Sequence, residues 1–70
     1  MKFEAFMARV DRLHREQPGR RYGQILILEL REFRPMLADV LRGGPKDPYY
    51  KQHKDECCEA LILLNESYKD

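Results

Sequence analysis

Seventy residues with 13 basic and 12 acidic side chains read as one domain spanning 1–70. A chain this short is near the lower limit for a self-supporting core and often draws on a second subunit, a metal or disulfides. The near-balance of charge argues against a general nucleic-acid binder, which usually shows a clear basic excess, and no apolar run reaches the roughly 20 residues needed to cross a bilayer.

Residues 2–17 read as an amphipathic helix. Phe3, Phe6, Met7, Val10 and Leu13 fall at the i, i+3, i+4, i+7 spacing of one face, with Arg9, Asp11, Arg12 and Glu16 elsewhere on the wheel. Pro18-Gly19 ends it. Residues 22–33 contain Ile25-Leu26-Ile27-Leu28, a run that a buried strand could also carry. Helix is favoured because Tyr22, Leu26, Leu30 and Phe33 share one helical face and no second strand-like segment offers a partner. Its apolar residues spread over more than one face, so it should be the most buried element. Ile25, Ile27 and Leu28 then give it more apolar surface than one small core covers, which predicts self-association.

Arg34-Pro35 breaks the chain, since the residue before proline is pushed out of the α region while proline suits a first helical turn. A short helix is expected at 35–42 with Met36, Leu37, Val40 and Leu41 inward, closed by Gly43-Gly44-Pro45. Asp47-Pro48 has the form of an N-cap followed by proline at N1. The last helix is therefore expected from about 48–52 to about 68, with a stripe of Tyr50, Lys54, Cys57, Leu61, Leu64 and Tyr68, widened by Ile62. The fold class that results is all-α, a small three- or four-helix bundle with the third helix as connector.

The side chains give little support to catalysis. Ser67 is the sole serine and there is no threonine. His53 and Cys57 lie four apart, on one helical face, but zinc wants three or four ligands, and Cys58 points elsewhere on a regular helix. Adjacent Cys57 and Cys58 point about 100° apart on a helix and cannot close an ordinary disulfide there. They read as free thiols of a reducing compartment. The start, Met1-Lys2-Phe3-Glu4, lacks the shape of a secretory signal, so the cytoplasm is the expected location. No metal and no cofactor is expected, and the protein reads as a non-enzyme.

The charge distribution is more informative than the total. All eight arginines lie in residues 1–42, where nine basic and six acidic residues leave +3; residues 43–70 hold four basic and six acidic and come to −2. Arg9, Arg12 and Arg15 climb the first helix and Arg20-Arg21 follow in the loop, an arrangement suited to an anion or an acidic partner. Asp11 with Arg15 and Glu16 with Arg12 have the i, i+4 spacing that would neutralise part of it. Tyr22, Tyr49 and Tyr50 sit at predicted helix starts, and tyrosine offers both apolar area and a polar tip to a partner.

Arg21-Tyr22-Gly23-Gln24, Arg34-Pro35-x-Leu37-Ala38, Leu41-Arg42-Gly43 and Asp47-Pro48-Tyr49-Tyr50 together resemble a signature of small proteins from phages, plasmids and bacterial genomes. The resemblance covers residues 21–50, and Gln24, Ala38, Gly43 and the Asp-Pro-Tyr-Tyr turn are its most specific parts. This chain departs from it at Leu28, where asparagine is common, and at Gly44, where threonine is common. The resemblance implies a helical fold and a mobile-element origin and implies no activity. The expected function is therefore a binding protein, an inhibitor or accessory factor acting on a protein partner, with homodimer formation alongside. The alternative is a nucleic-acid accessory protein. The expected contact residues are Arg9, Arg12, Arg15, Arg20, Arg21, Tyr22, Gln24, Tyr49 and Tyr50.

Overall fold

The computed structural model describes residues 1–69. Four α-helices follow one another: α1 Phe3–Glu16, α2 Tyr22–Phe33, α3 Pro35–Leu41 and α4 Cys58–Ser67. A turn of 3-10 helix, Lys54–Cys57, leads into α4, and no strand occurs among the described residues. The fold is thus small and all-α, and no helix among the described residues is long and apolar enough to cross a membrane.

Helix α1 follows its apolar period. Phe6 and Val10 are fully buried, and Phe3, Met7 and Leu13 lie half-buried beside them. It stops at Gln17, the residue before Pro18, and the Gln17 N–H still donates to the Leu13 carbonyl at 2.9 Å. Helix α2 runs through the ambiguous apolar stretch and forms the centre of the molecule, packing on both α1 and α3. Tyr22, Ile25, Leu26, Ile27 and Leu30 are all buried in it. Burying side chains of this kind stabilises by about 1.5–3 kcal/mol each.

That burial removes the expected reason for self-association: Ile25 and Ile27 are consumed by the monomer's own core, and only Leu28 stays outside, 37% exposed.

Arg34 takes φ −147° and ψ 71°, outside the helical region as a pre-proline residue should be, and Pro35 opens α3. Helix α3 ends against Gly43, whose φ of +82° suits a residue without a β-carbon. Its rotation differs from expectation. Ala38 and Leu41 are buried and Leu37 is half-buried, whereas Met36 and Val40 stand 80% and 62% exposed. The small Ala38 lets α3 approach α2 closely, and the larger residues on either side of it are turned outward.

The last helix also begins later than expected. Residues 48–53 form a turn and an extended segment, and α4 starts only at Cys58. Two backbone acceptors explain this. The Lys51 and Gln52 carbonyls receive the Gly23 and Tyr22 N–H groups of α2, both at 3.0 Å, and so cap that helix. The actual start signal is Glu56, whose carboxylate accepts the N–H groups of Gln52 (3.2 Å) and His53 (3.0 Å). From the expected stripe, Cys57, Leu64 and Tyr68 are buried and Leu61 is half-buried, but Tyr50, Lys54 and Ile62 are exposed, and Ala60 takes the inward place between.

Opposite the loop end, Tyr68 closes the core. Its ring centre lies 5.4 Å from those of Phe3 and Phe6, and its hydroxyl donates to the Met1 carbonyl at 2.6 Å. Arg34 lies over the same ring at 4.5 Å and donates to the carbonyls of Lys69 (3.1 Å) and Met1 (3.3 Å).

Candidate functional site

The loop after α3 and the start of α2 meet at one end of the domain, and this junction is built on backbone contact. A β-carbon on Gly23 would lie 1.6 Å from the Pro48 carbonyl oxygen, so only glycine allows the first turn of α2 to rest on the loop. Pro48 is itself fully buried. The side chain of Asp47 then fixes the loop from within. Its Oδ2 accepts the Gly43 N–H at 2.8 Å and the Arg42 guanidinium at 2.7 Å, and its Oδ1 accepts the Tyr49 N–H at 2.9 Å. Burial raises the Asp47 carboxyl, but these donors more than offset it and hold the group below its ordinary value.

On that frame stand two arginines and two tyrosines. The Arg42 guanidinium lies 3.9 Å from the Tyr49 ring centre and 5.7 Å from that of Tyr50. Arg21 lies 5.5 Å and 5.4 Å from the same two rings, and its Nε donates to the Tyr49 carbonyl at 3.2 Å. The rings meet edge to face at 5.1 Å. Arg42 is well anchored: Asp47 foremost, and Tyr50 to a lesser degree, hold it in its charged form, and its Nε is buried with no hydrogen-bond acceptor among the described residues, consistent with its stacking on Tyr49. Tyr50, by contrast, is 71% exposed.

The other expected contact residues divide between structure and surface. Tyr22 is buried, and its hydroxyl donates to Asp11 Oδ1 at 2.7 Å while Lys54 Nζ reaches Asp11 Oδ2 at 3.0 Å. Burial first, and then the bond to Asp11, push the Tyr22 hydroxyl far above its ordinary pKa. His14 stands edge-on to the Tyr22 ring at 5.2 Å. Tyr22 is thus a core residue that ties α1 to α2, not a contact residue, and Asp11 makes its direct bonds with Tyr22 and Lys54, while the charge of Arg15, the expected partner, adds a weaker attraction.

Arg9 is likewise engaged, pairing with Glu29 and lying 5.5 Å over the Phe33 ring. Arg20 donates to the Gln17 side-chain oxygen at 2.7 Å. Gln24 is half-buried and makes no side-chain hydrogen bond among the described residues. Arg12 and Arg15 are exposed and, with Arg9, Met1, Ala5 and Ala8, line a shallow groove on the outer face of α1. Glu16 does not pair with Arg12 among the described residues.

Sequence reasoning did not single out Arg42 or Asp47 as site residues. The available signal was the Asp-Pro step itself, read as a helix start when it builds a turn. Cys57 is buried, its thiol pushed up to about 11 by burial and then by Glu56, and it donates to the His53 carbonyl at 3.5 Å. Cys58 is free and exposed. No protein-family model, curated protein or solved structure matches this chain.

Proposed function

We propose that the protein is a small non-enzymatic binding protein that docks on a partner protein through the junction of Arg21, Arg42, Tyr49 and Tyr50. The observation that carries this reading is Tyr50. Its ring is 71% exposed on a backbone fixed by Asp47 and Gly23, with a neighbouring ring and two guanidiniums holding it in place. Tyrosine and arginine dominate the energetics of protein interfaces, and a pre-ordered side chain loses little freedom on docking.

The phage and plasmid resemblance supplies the setting, an inhibitor or accessory factor of a mobile element acting on a host protein. The two free thiols fit a cytoplasmic location. Second-copy binding stays within the proposal, with Met36 and Val40 of α3 as its contact residues in place of Ile25 and Ile27.

A photo-crosslinking amino acid placed at position 50 tests the reading. In cells of the source organism it should trap one discrete protein, and the same group at Glu66, on the exposed side of α4, should not. The same adducts from both positions would overturn it.

A second reading rests on the α1 groove, where Arg12 and Arg15 are exposed and Arg12 has no charged partner among the described residues. It makes the protein a nucleic-acid accessory factor that contacts phosphates. Such binding weakens steeply with salt, so a gel shift repeated across salt concentrations separates it from an interface centred on Tyr50.

A further inference from the structure

We infer that the Arg21–Tyr50 junction takes a carboxylate-bearing peptide segment, with an aspartate or glutamate of the partner on Arg21 and an adjacent apolar side chain on the Tyr50 ring. This rests on the docking reading above and specifies the partner's chemistry. Arg21 spends only its Nε, on the Tyr49 carbonyl, so its two terminal nitrogens carry no hydrogen bond among the described residues. Those nitrogens form a planar fork that matches a carboxylate with two parallel bonds.

Arg42 cannot serve in the same way, because Asp47 already holds and neutralises it. It contributes instead by fixing the ring on which the partner's apolar group rests. Arg20, beside Arg21 in sequence, forms no ion pair among the described residues, so its charge adds to that of Arg21 in attracting a carboxylate.

The neighbouring surface argues against a polyanion. A hollow of about 220 Å³ beside the loop is lined by Lys46 and Lys51 but also by Glu56 and Glu59. A nucleic-acid backbone following the basic residues would run into those carboxylates. A single localised anion next to an apolar contact avoids them.

Selection of short random peptides displayed on yeast against the intact protein tests the inference. Recovered peptides should be rich in aspartate or glutamate next to aromatic or large aliphatic residues. Arg21→Gln should weaken them by about tenfold or more and Tyr50→Ala by a similar factor, while Arg31→Gln, on the exposed side of α2, should leave them unchanged. Arg21→Lys keeps the charge and should recover only part of the loss, because it lacks the fork. Peptides without acidic residues that still depend on Tyr50 would overturn the carboxylate assignment and leave the docking surface standing. Peptides indifferent to Tyr50→Ala, no recovered peptide at all, or displacement of peptides by a single-stranded oligonucleotide at physiological salt would overturn both.

Discussion

A side chain at Gly23 has nowhere to go: its β-carbon would sit 1.6 Å from the Pro48 carbonyl oxygen, with the Lys51 carbonyl oxygen only 3.2 Å away. Both obstacles are backbone, so no rotamer change relieves them. Gly23→Ala should therefore force the first turn of α2 off the loop and strain the hydrogen bonds from Tyr22 and Gly23 to Gln52 and Lys51. The expected loss is about 3 kcal/mol or more, combining overpacking with weakened backbone bonds. Urea unfolding followed by helical circular dichroism measures it; a change under about 0.5 kcal/mol, the range of a neutral surface substitution, would mean that the loop is free to move aside.

The tie between α1 and α2 is polar at its centre. Tyr22→Phe keeps the buried ring and removes only the hydroxyl that donates to Asp11. A hydrogen bond to a charged group is worth about 1.5–3 kcal/mol, and Asp11 keeps its contact with Lys54, so the lower end of that range is expected. Equilibrium unfolding of the variant beside the parent protein supplies the number.

Acid should unfold the protein through the same contacts. Asp11 and Asp47 are both held below the ordinary aspartate value of 3.8: burial pushes each upward, and the donors of Tyr22 and Lys54, or of Gly43, Tyr49 and Arg42, more than reverse it. Because the folded values are depressed, their contribution is complete above 3.8 and is lost as pH falls through the lowered values. Stability should thus be flat in this respect at neutral pH and decline in acid. Replacing both residues by asparagine should lower stability at neutral pH and make the acid decline shallower; an unchanged slope would show that other carboxylates govern it.

The two neighbouring cysteines should behave as unlike groups. Cys58 is exposed, and Cys57 is buried with its thiol raised from an ordinary value of 9.0 to about 11. That shift alone leaves roughly a hundredfold less thiolate on Cys57 near neutrality. A thiol reagent should modify one cysteine promptly and the other only on the timescale of unfolding, and Cys58→Ser should abolish the fast phase. Two fast phases would place Cys57 at the surface.

Much of this architecture could be read from residue order, because punctuation and period agree there. Pro18 and Pro35 bound α2, and the expected span of 22–33 is the observed one. The misreadings share a cause: the deciding contacts are made by the folded loop and by neighbouring helices, and the local apolar period does not show them. Asp47-Pro48 has the form of a helix start, but Asp47 looks back to Arg42 and Gly43, and the carbonyls that follow belong to a helix some 30 residues earlier. Met36 and Val40 are large and apolar, yet the smaller Ala38 faces the core because close approach of α3 to α2 needs it. At the proposed junction, Arg21, Tyr49 and Tyr50 are residues that type and spacing pick out. Arg42 is not, since only the folded loop brings it over Tyr49, and Tyr22 lies in the core because its ring packs there while its hydroxyl reaches Asp11 on another helix.

Tyr50→Ala separates structure from recognition more cleanly than any other change. The ring is 71% exposed, so its removal should alter the unfolding free energy by no more than about 0.5 kcal/mol. Recovery of the parent protein's partner on the purified variant, compared at equal concentration and physiological salt, should fall by about tenfold or more. Full recovery of that partner by a stably folded Tyr50→Ala protein would contradict the assignment of this junction as the docking surface.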